Sequence, residues 1–94
     1  MGNGALIFER KHMVAVMLYL LRRGGSATRM DIYRDIANND RMPDKFAILE
    51  DAGLIVQTQD RFTRAVTLTL TPLGRNVAEA LTGIDSDLRR TVSA

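Results

Sequence analysis

Apolar residues open the chain at helical spacing. Leu6, Met13, Met17, Leu20 and Leu21 fall on one stripe, which predicts a single helix from Ala5 to Arg23. Val14, Val16 and Leu18 add apolar surface outside that stripe. A helix that is apolar on more than one side has more than one neighbour, so Val14 and Leu18 are candidate contacts with a second subunit. Gly24-Gly25 stops the helix, and Arg22-Arg23 suits the negative end of its dipole. Ser26-Ala27 reads as a short link. Thr28 then serves as an N-cap, with Asp31 three residues on favouring the positive helix end.

Met30, Ile32, Tyr33, Ile36 and Ala37 supply the apolar side of a second helix from about Arg29 to Ala37, and Asn38-Asn39-Asp40 forms a turn. A third helix runs from about Arg41 to Asp51. Its Met42, Phe46 and Leu49 point inward, and Pro43 is tolerated because it lies in the first turn. Gly53 ends it. Two short helices joined by a tight turn make a helix-turn-helix.

The period then changes. Leu54 to Gln59 is rich in β-formers and Asp60 to Thr63 is polar. From Arg64 to Leu70, Val66, Leu68 and Leu70 alternate with Thr67 and Thr69. This predicts a hairpin with one buried and one wet face, with Phe62 packing under its tip. Thr71-Pro72 caps and starts a last helix, along which Val77, Leu81, Ile84 and Leu88 recur at spacings of four, three and four. That stripe can cover its own domain or zip against a second copy. The fold class is therefore mainly α with a small β-hairpin, in the order helix-helix-helix-hairpin-helix. Residues 1–4 are an expected frayed start, 5–71 the core with its N-terminal helix, and 72–94 a C-terminal helix and possible dimerisation element.

Composition narrows the chemistry. Hydrophobic residues are 46% of the 94, but aromatic ones only 5%, so the core is built from Leu, Ile, Val, Met and Ala. The absence of Cys removes disulfides, thiolate metal sites and a cysteine nucleophile, in keeping with a cytoplasmic location. The longest apolar run, Met13 to Leu21, is too short to span a bilayer, and no signal-peptide or lipidation layout is expected. His12 has Phe8 and Val16 as its i±4 neighbours, which are not metal ligands. No phosphate-binding glycine loop or dinucleotide fingerprint is present, and Glu50 and Asp51 diverge on a helix. The expectation is a protein that is not an enzyme and uses no cofactor. Net charge is only +2, from thirteen basic and eleven acidic residues, so the placement of charge matters more than its sum.

The run Leu49-Glu50-Asp51-Ala52-Gly53-Leu54-Ile55 resembles the end of the recognition helix and the start of the first wing strand in the MarR/PadR-type winged-helix transcriptional regulators. Val66-Thr67-Leu68-Thr69-Leu70-Thr71-Pro72-Leu73-Gly74 is similar to their second wing strand passing into the next helix. The resemblance covers roughly Met13 to Leu81. It departs at the turn, where Ala37-Asn38-Asn39 stands in place of a Gly-containing and slightly longer connection. It implies a winged helix-turn-helix that binds double-stranded DNA.

In that geometry the second helix of the pair enters the major groove. Its outward positions are Arg41, Pro43, Asp44, Lys45, Ala47 and Ile48. Lys45 suits guanine or phosphate, Ala47 and Ile48 suit a thymine methyl, and Asp44 suits cytosine N4 but repels phosphate. Arg61 and Arg64 at the hairpin tip suit the backbone or minor groove. Arg29 and Arg34 are weaker backbone candidates on the first helix of the pair. A homodimer is expected, with Val14, Leu18, Val77, Leu81, Ile84 and Leu88 as interface candidates. The alternative is a protein-docking or low-specificity architectural module on the same scaffold.

Overall fold

The computed structural model describes residues 12–37 and 41–93, the side chains of 85–93 excepted. The elements run α1 (Met13–Arg22), β1 (Ser26–Thr28), α2 (Arg29–Asp35), α3 (Met42–Asp51), β2 (Ile55–Gln59), β3 (Val66–Leu70) and α4 (Pro72–Ser93). This is the expected order with one addition. The Ser26-Ala27 link is part of a strand, and the hairpin is part of a three-stranded antiparallel sheet ordered β1-β3-β2. In the hairpin Ile55 pairs with Leu70 and Gln59 with Val66, while β1 covers the other edge of β3 through Ser26 opposite Thr69 and Thr28 opposite Thr67. That edge would otherwise leave backbone groups of β3 unpaired.

The first helix is shorter than its apolar pattern predicts. It starts at Met13, and His12 at its N-cap lies in the left-handed region with φ 70°, which breaks a continuous helix at that point. Leu6 and the expected frayed start lie outside the described residues, as does the Asn38-Asn39-Asp40 turn. Where the helix is formed its stripe holds: Met13, Met17 and Leu20 are fully buried. Val16, expected off the stripe, is fully buried as well, so the core takes a wider face of α1 than one row. Gly24 and Gly25 end the helix at positive φ, with the Gly25 amide bonded to the Leu20 carbonyl at 2.8 Å.

The cap on α2 forms as its sequence predicts. Thr28 Oγ1 accepts from the Asp31 amide at 3.1 Å, and an Asp31 carboxylate oxygen accepts from the Thr28 amide at 3.1 Å, a reciprocal capping box. Ile32 is buried, and Tyr33 and Ile36 pack on the core. Met30 departs from expectation at 69% exposed. Two positions along a helix are about 200° of rotation, so a chain that buries Ile32 turns Met30 outward. From α3, Met42, Phe46 and Leu49 enter the core, and the Phe46 ring stacks on Tyr33 with centroids 6.2 Å apart.

The joint between α3, the hairpin and α4 fixes where the hairpin stands. Gly53 turns the chain at φ 79°, and the Leu54 carbonyl then accepts from the Thr71 amide at 3.0 Å. Thr71 Oγ1 donates to the Gly53 carbonyl at 2.6 Å and accepts from the Gly74 amide at 2.9 Å, so one hydroxyl caps α4 and ties it to the end of α3. Gly74 lies against this turn. A Cβ there would fall far inside van der Waals contact distance of the Leu54 carbonyl oxygen. Beyond it α4 packs along α1, burying Ala78 and half-burying Val77 and Leu81.

Candidate nucleic-acid interface

The outward face of α3 carries little net positive charge. Arg41 at the N-cap, Asp44, Ala47 and Asp51 are exposed, and Pro43, Lys45 and Ile48 are half-buried. Ile48, expected to point outward, packs partly against the core. Asp44 and Asp51 lie seven positions apart, close to two helical turns, and so share one side with Ala47 between them.

Glu50 is turned toward the sheet. Its two carboxylate oxygens accept from the Gln57 backbone amide at 3.2 Å and from Gln57 Nε2 at 3.0 Å, which holds its carboxyl below the usual range. The Gln57 side-chain oxygen in turn accepts from Arg29 Nη2 at 2.7 Å and Nε at 3.2 Å. The Arg29 guanidinium also sits 5.5 Å from the centroid of the Phe46 ring. One chain of bonds thus links the start of α2, the strand β2 and the end of α3. Nothing in hydrophobic periodicity reveals it, because its members are 7 and 28 positions apart.

Arg34 is engaged within the domain. Its Nε donates to Asp35 at 2.9 Å and its Nη2 lies 3.2 Å from Asp31. Asp31 also pairs with Arg23 at 3.2 Å, and Asp35 accepts from the Tyr19 hydroxyl at 2.5 Å. The Arg34 bond, with the Tyr19 hydroxyl second, holds the Asp35 carboxyl well below the usual carboxylate range. The Thr28 amide and hydroxyl hold Asp31 down in the same sense. Hydrogen bonding to Asp35 raises the Tyr19 phenol. This cluster binds the end of α1 to α2.

The hairpin tip is built differently. Asp60 Oδ1 accepts from the amides of both Phe62 and Thr63 at 2.8 Å, which depresses its carboxyl and fixes the turn. The Asp60 amide bonds the Ala65 carbonyl at 2.8 Å and the Arg64 amide bonds the Asp60 carbonyl at 3.0 Å, closing the loop. Thr63 Oγ1 accepts from the Ala65 amide at 3.2 Å. Arg64 is held at φ 65°, a conformation that favours Gly or Asn. Arg61 and Arg64 are exposed, and so is Phe62, at 88%. Phe62 therefore does not pack under the wing, because the Asp60 carboxylate occupies the inside of the turn and the ring is left at its crest.

Of the expected subunit contacts, Val14, Leu18, Val77 and Leu81 are half-buried within the chain and Ile84 is exposed, while the Leu88 side chain lies outside the described residues. Among the described residues no cluster of His, Asp or Glu could hold a metal ion, and no helix is long and apolar enough to cross a membrane.

No family model matches the chain, and no curated protein matches it. Solved structures do. A transcriptional regulator homologue from Pyrococcus horikoshii is similar at 17% identity and TM-score 0.76, covering 94% of this chain and 89% of that one. A reported archaeal mechanosensitive channel, described as a structural homologue of MarR-like transcriptional regulators, is similar at 20% identity and TM-score 0.73, covering 98% of this chain and 74% of that one. Reduced AbfR bound to DNA is similar at 20% identity and TM-score 0.59, covering 92% and 73%. The four helices and three-stranded sheet among the described residues, together with these likenesses, give this chain the winged-helix fold of MarR-like transcriptional regulators.

Proposed function

We propose that this chain is a double-stranded DNA-binding transcriptional regulator acting as a homodimer, with α3 in the major groove and the β2–β3 wing on the backbone or minor groove. The observation that carries the reading is the wing. Its turn is closed by its own hydrogen bonds, and it exposes Arg61 and Arg64. Arg64 holds a left-handed backbone, which costs a non-glycine residue about 1 kcal/mol. A cation kept there at that cost, where glycine would be relaxed, suits a role in contacting phosphate. AbfR, which shares the fold, has been solved bound to DNA.

On α3, Lys45 is the base or phosphate contact, Arg41 a contact at the helix start, and Ala47 and Ile48 apolar contacts to thymine methyls, with Pro43 beside them. Asp44 rejects phosphate and accepts only from a base amine. Arg29 and Arg34 contribute less to DNA, since their guanidiniums are engaged with Gln57 and with Asp31 and Asp35. The dimer uses apolar surface on α1 and α4, namely Val14, Leu18, Val77, Leu81, Ile84 and Leu88. Two linked wings and two α3 helices spaced one DNA turn apart multiply a modest single-module affinity.

A second reading, a low-specificity architectural or protein-docking module, is favoured by one observation: the exposed Asp44 and Asp51 on α3. Titrating a duplex from the chain's own upstream region against random duplex at two salt concentrations separates the readings. The regulator gives a specificity ratio of about a thousand or more. A ratio near one favours the second reading, and a monomer mass at tens of micromolar rules out the dimer.

A further inference from the structure

Phe62 stands at the crest of the wing at 88% exposure, although the chain holds only five Phe and Tyr residues and no Trp. It is flanked by the exposed Arg61 and, two positions on, Arg64. Its backbone is not loose. Asp60 Oδ1 holds the Phe62 amide at 2.8 Å, the Ala65 carbonyl closes the loop on the Asp60 amide at 2.8 Å, and Gln59 Nε2 braces the Arg64 carbonyl at 3.2 Å. A large apolar ring is thus presented to solvent on a preorganised turn, between cations, at the end of a ribbon two strands wide.

We propose that Phe62 is a wedge that inserts from the minor groove between base pairs of duplex DNA while Arg61 and Arg64 hold the flanking phosphates. This rests on the reading of the chain as a DNA-binding protein and adds to it a mode of recognition: deformation of a flexible base step. The chemistry fits in three ways. The guanidiniums supply attraction to phosphate on either side of a ring that offers none of its own. A single ring at a narrow tip matches a groove about 6 Å wide. Because the turn is already ordered by Asp60, little conformational entropy is lost when the ring is seated. Apolar wedges unstack steps and kink the duplex, most easily at pyrimidine–purine steps such as TA and CA. A wing of this kind selects sequence through deformability, which suits a protein whose α3 carries few cations.

The test uses the full chain and duplexes carrying 2-aminopurine next to TA, CA or AA steps. Wild type is expected to raise probe emission several-fold at a TA or CA step and not within AA runs. Phe62→Ala should abolish the rise and weaken binding about tenfold, the size expected for losing one buried ring, with an unchanged thermal melt because the ring touches no core residue. Phe62→Leu should keep most of both effects. Unchanged emission and affinity in Phe62→Ala, while Arg61→Ala/Arg64→Ala still weakens binding, would overturn the wedge and leave the DNA-binding reading standing. No duplex binding by wild type overturns both. Phe62-dependent association with anionic phosphatidylglycerol vesicles, with no emission change on any duplex, would assign the ring to a lipid surface and overturn the wedge.

Discussion

The wing and α3 each carry acidic and basic residues, but they dispose of the acids in opposite ways. In the wing, the Asp60 carboxylate faces the backbone and is engaged by the Phe62 and Thr63 amides, so the outward groups are Arg61, Phe62 and Arg64. On α3, Glu50 is engaged by Gln57, yet Asp44 and Asp51 remain exposed on the outward side, where Arg41 and the half-buried Lys45 oppose them. The difference teaches that formal charge per element is a poor guide to a nucleic-acid surface. What matters is which carboxylates the fold uses internally. On this account the wing supplies most of the affinity and selects only through the deformability of the step at Phe62, while α3 supplies discrimination by base contact at the expense of affinity.

The comparison can be broken at the joint that serves both regions. Gly74→Ala places a methyl against the Leu54 carbonyl, between the end of α3 and the start of β2. Overpacking against backbone is expected to cost about 3 kcal/mol and lower Tm by more than about 10 °C in a circular-dichroism melt. Affinity and sequence preference should fall together; a melt within 2–3 °C of wild type would remove the joint from the account.

A smaller loss, about 1 kcal/mol for one hydrogen bond, is expected from Tyr19→Phe, which leaves Asp35 bonded to Arg34 alone. It touches neither the wing nor α3, so duplex affinity per folded molecule should not change. Acid acts on the same cluster. Asp31 and Asp35 have folded-state pKa values below their ordinary 3.8, so their contribution to stability is complete above about pH 4 and is lost as pH falls toward the folded values. Tm should therefore drop on acidification below pH 4, and less steeply in Tyr19→Phe than in wild type. Asp60 in the wing carries a shift of the same sign, so the tip loosens over the same acidic window. The smallest effect sharpens the contrast itself. Asp44→Asn removes a repelling charge from α3 and should raise affinity for random duplex by about threefold while reducing the preference for the best site. A fall in random-duplex affinity would show that Asp44 does not face phosphate.

Much of this architecture is legible in the sequence because local signals agree with the final packing. The Thr28–Asp31 capping box, the inward set Met42, Phe46 and Leu49, and the Thr71-Pro72 helix start all follow from spacing and propensity. The strand at Ser26–Thr28 does not, since three small residues are too short a run to signal a strand and form one only because β3 offers them an edge. The start of α1 at Met13 is hidden by an apolar pattern that begins before His12, where the backbone is left-handed. Hydrophobicity alone places Met30 and Phe62 inward. The rotation of a seven-residue helix and the capping of a turn by Asp60 decide otherwise. The Arg29–Gln57–Glu50 chain and the Tyr19–Asp35 bond join residues distant in sequence, and only the folded chain brings them together.

The most direct measurement is the salt dependence of random-duplex affinity for wild type, Arg61→Ala/Arg64→Ala and Lys45→Ala, followed by fluorescence polarisation. If the wing holds phosphates, the slope of log K against log salt should fall by about 2 per protomer in the double variant and by no more than about 1 in Lys45→Ala. Equal slopes for wild type and the double variant would contradict the account.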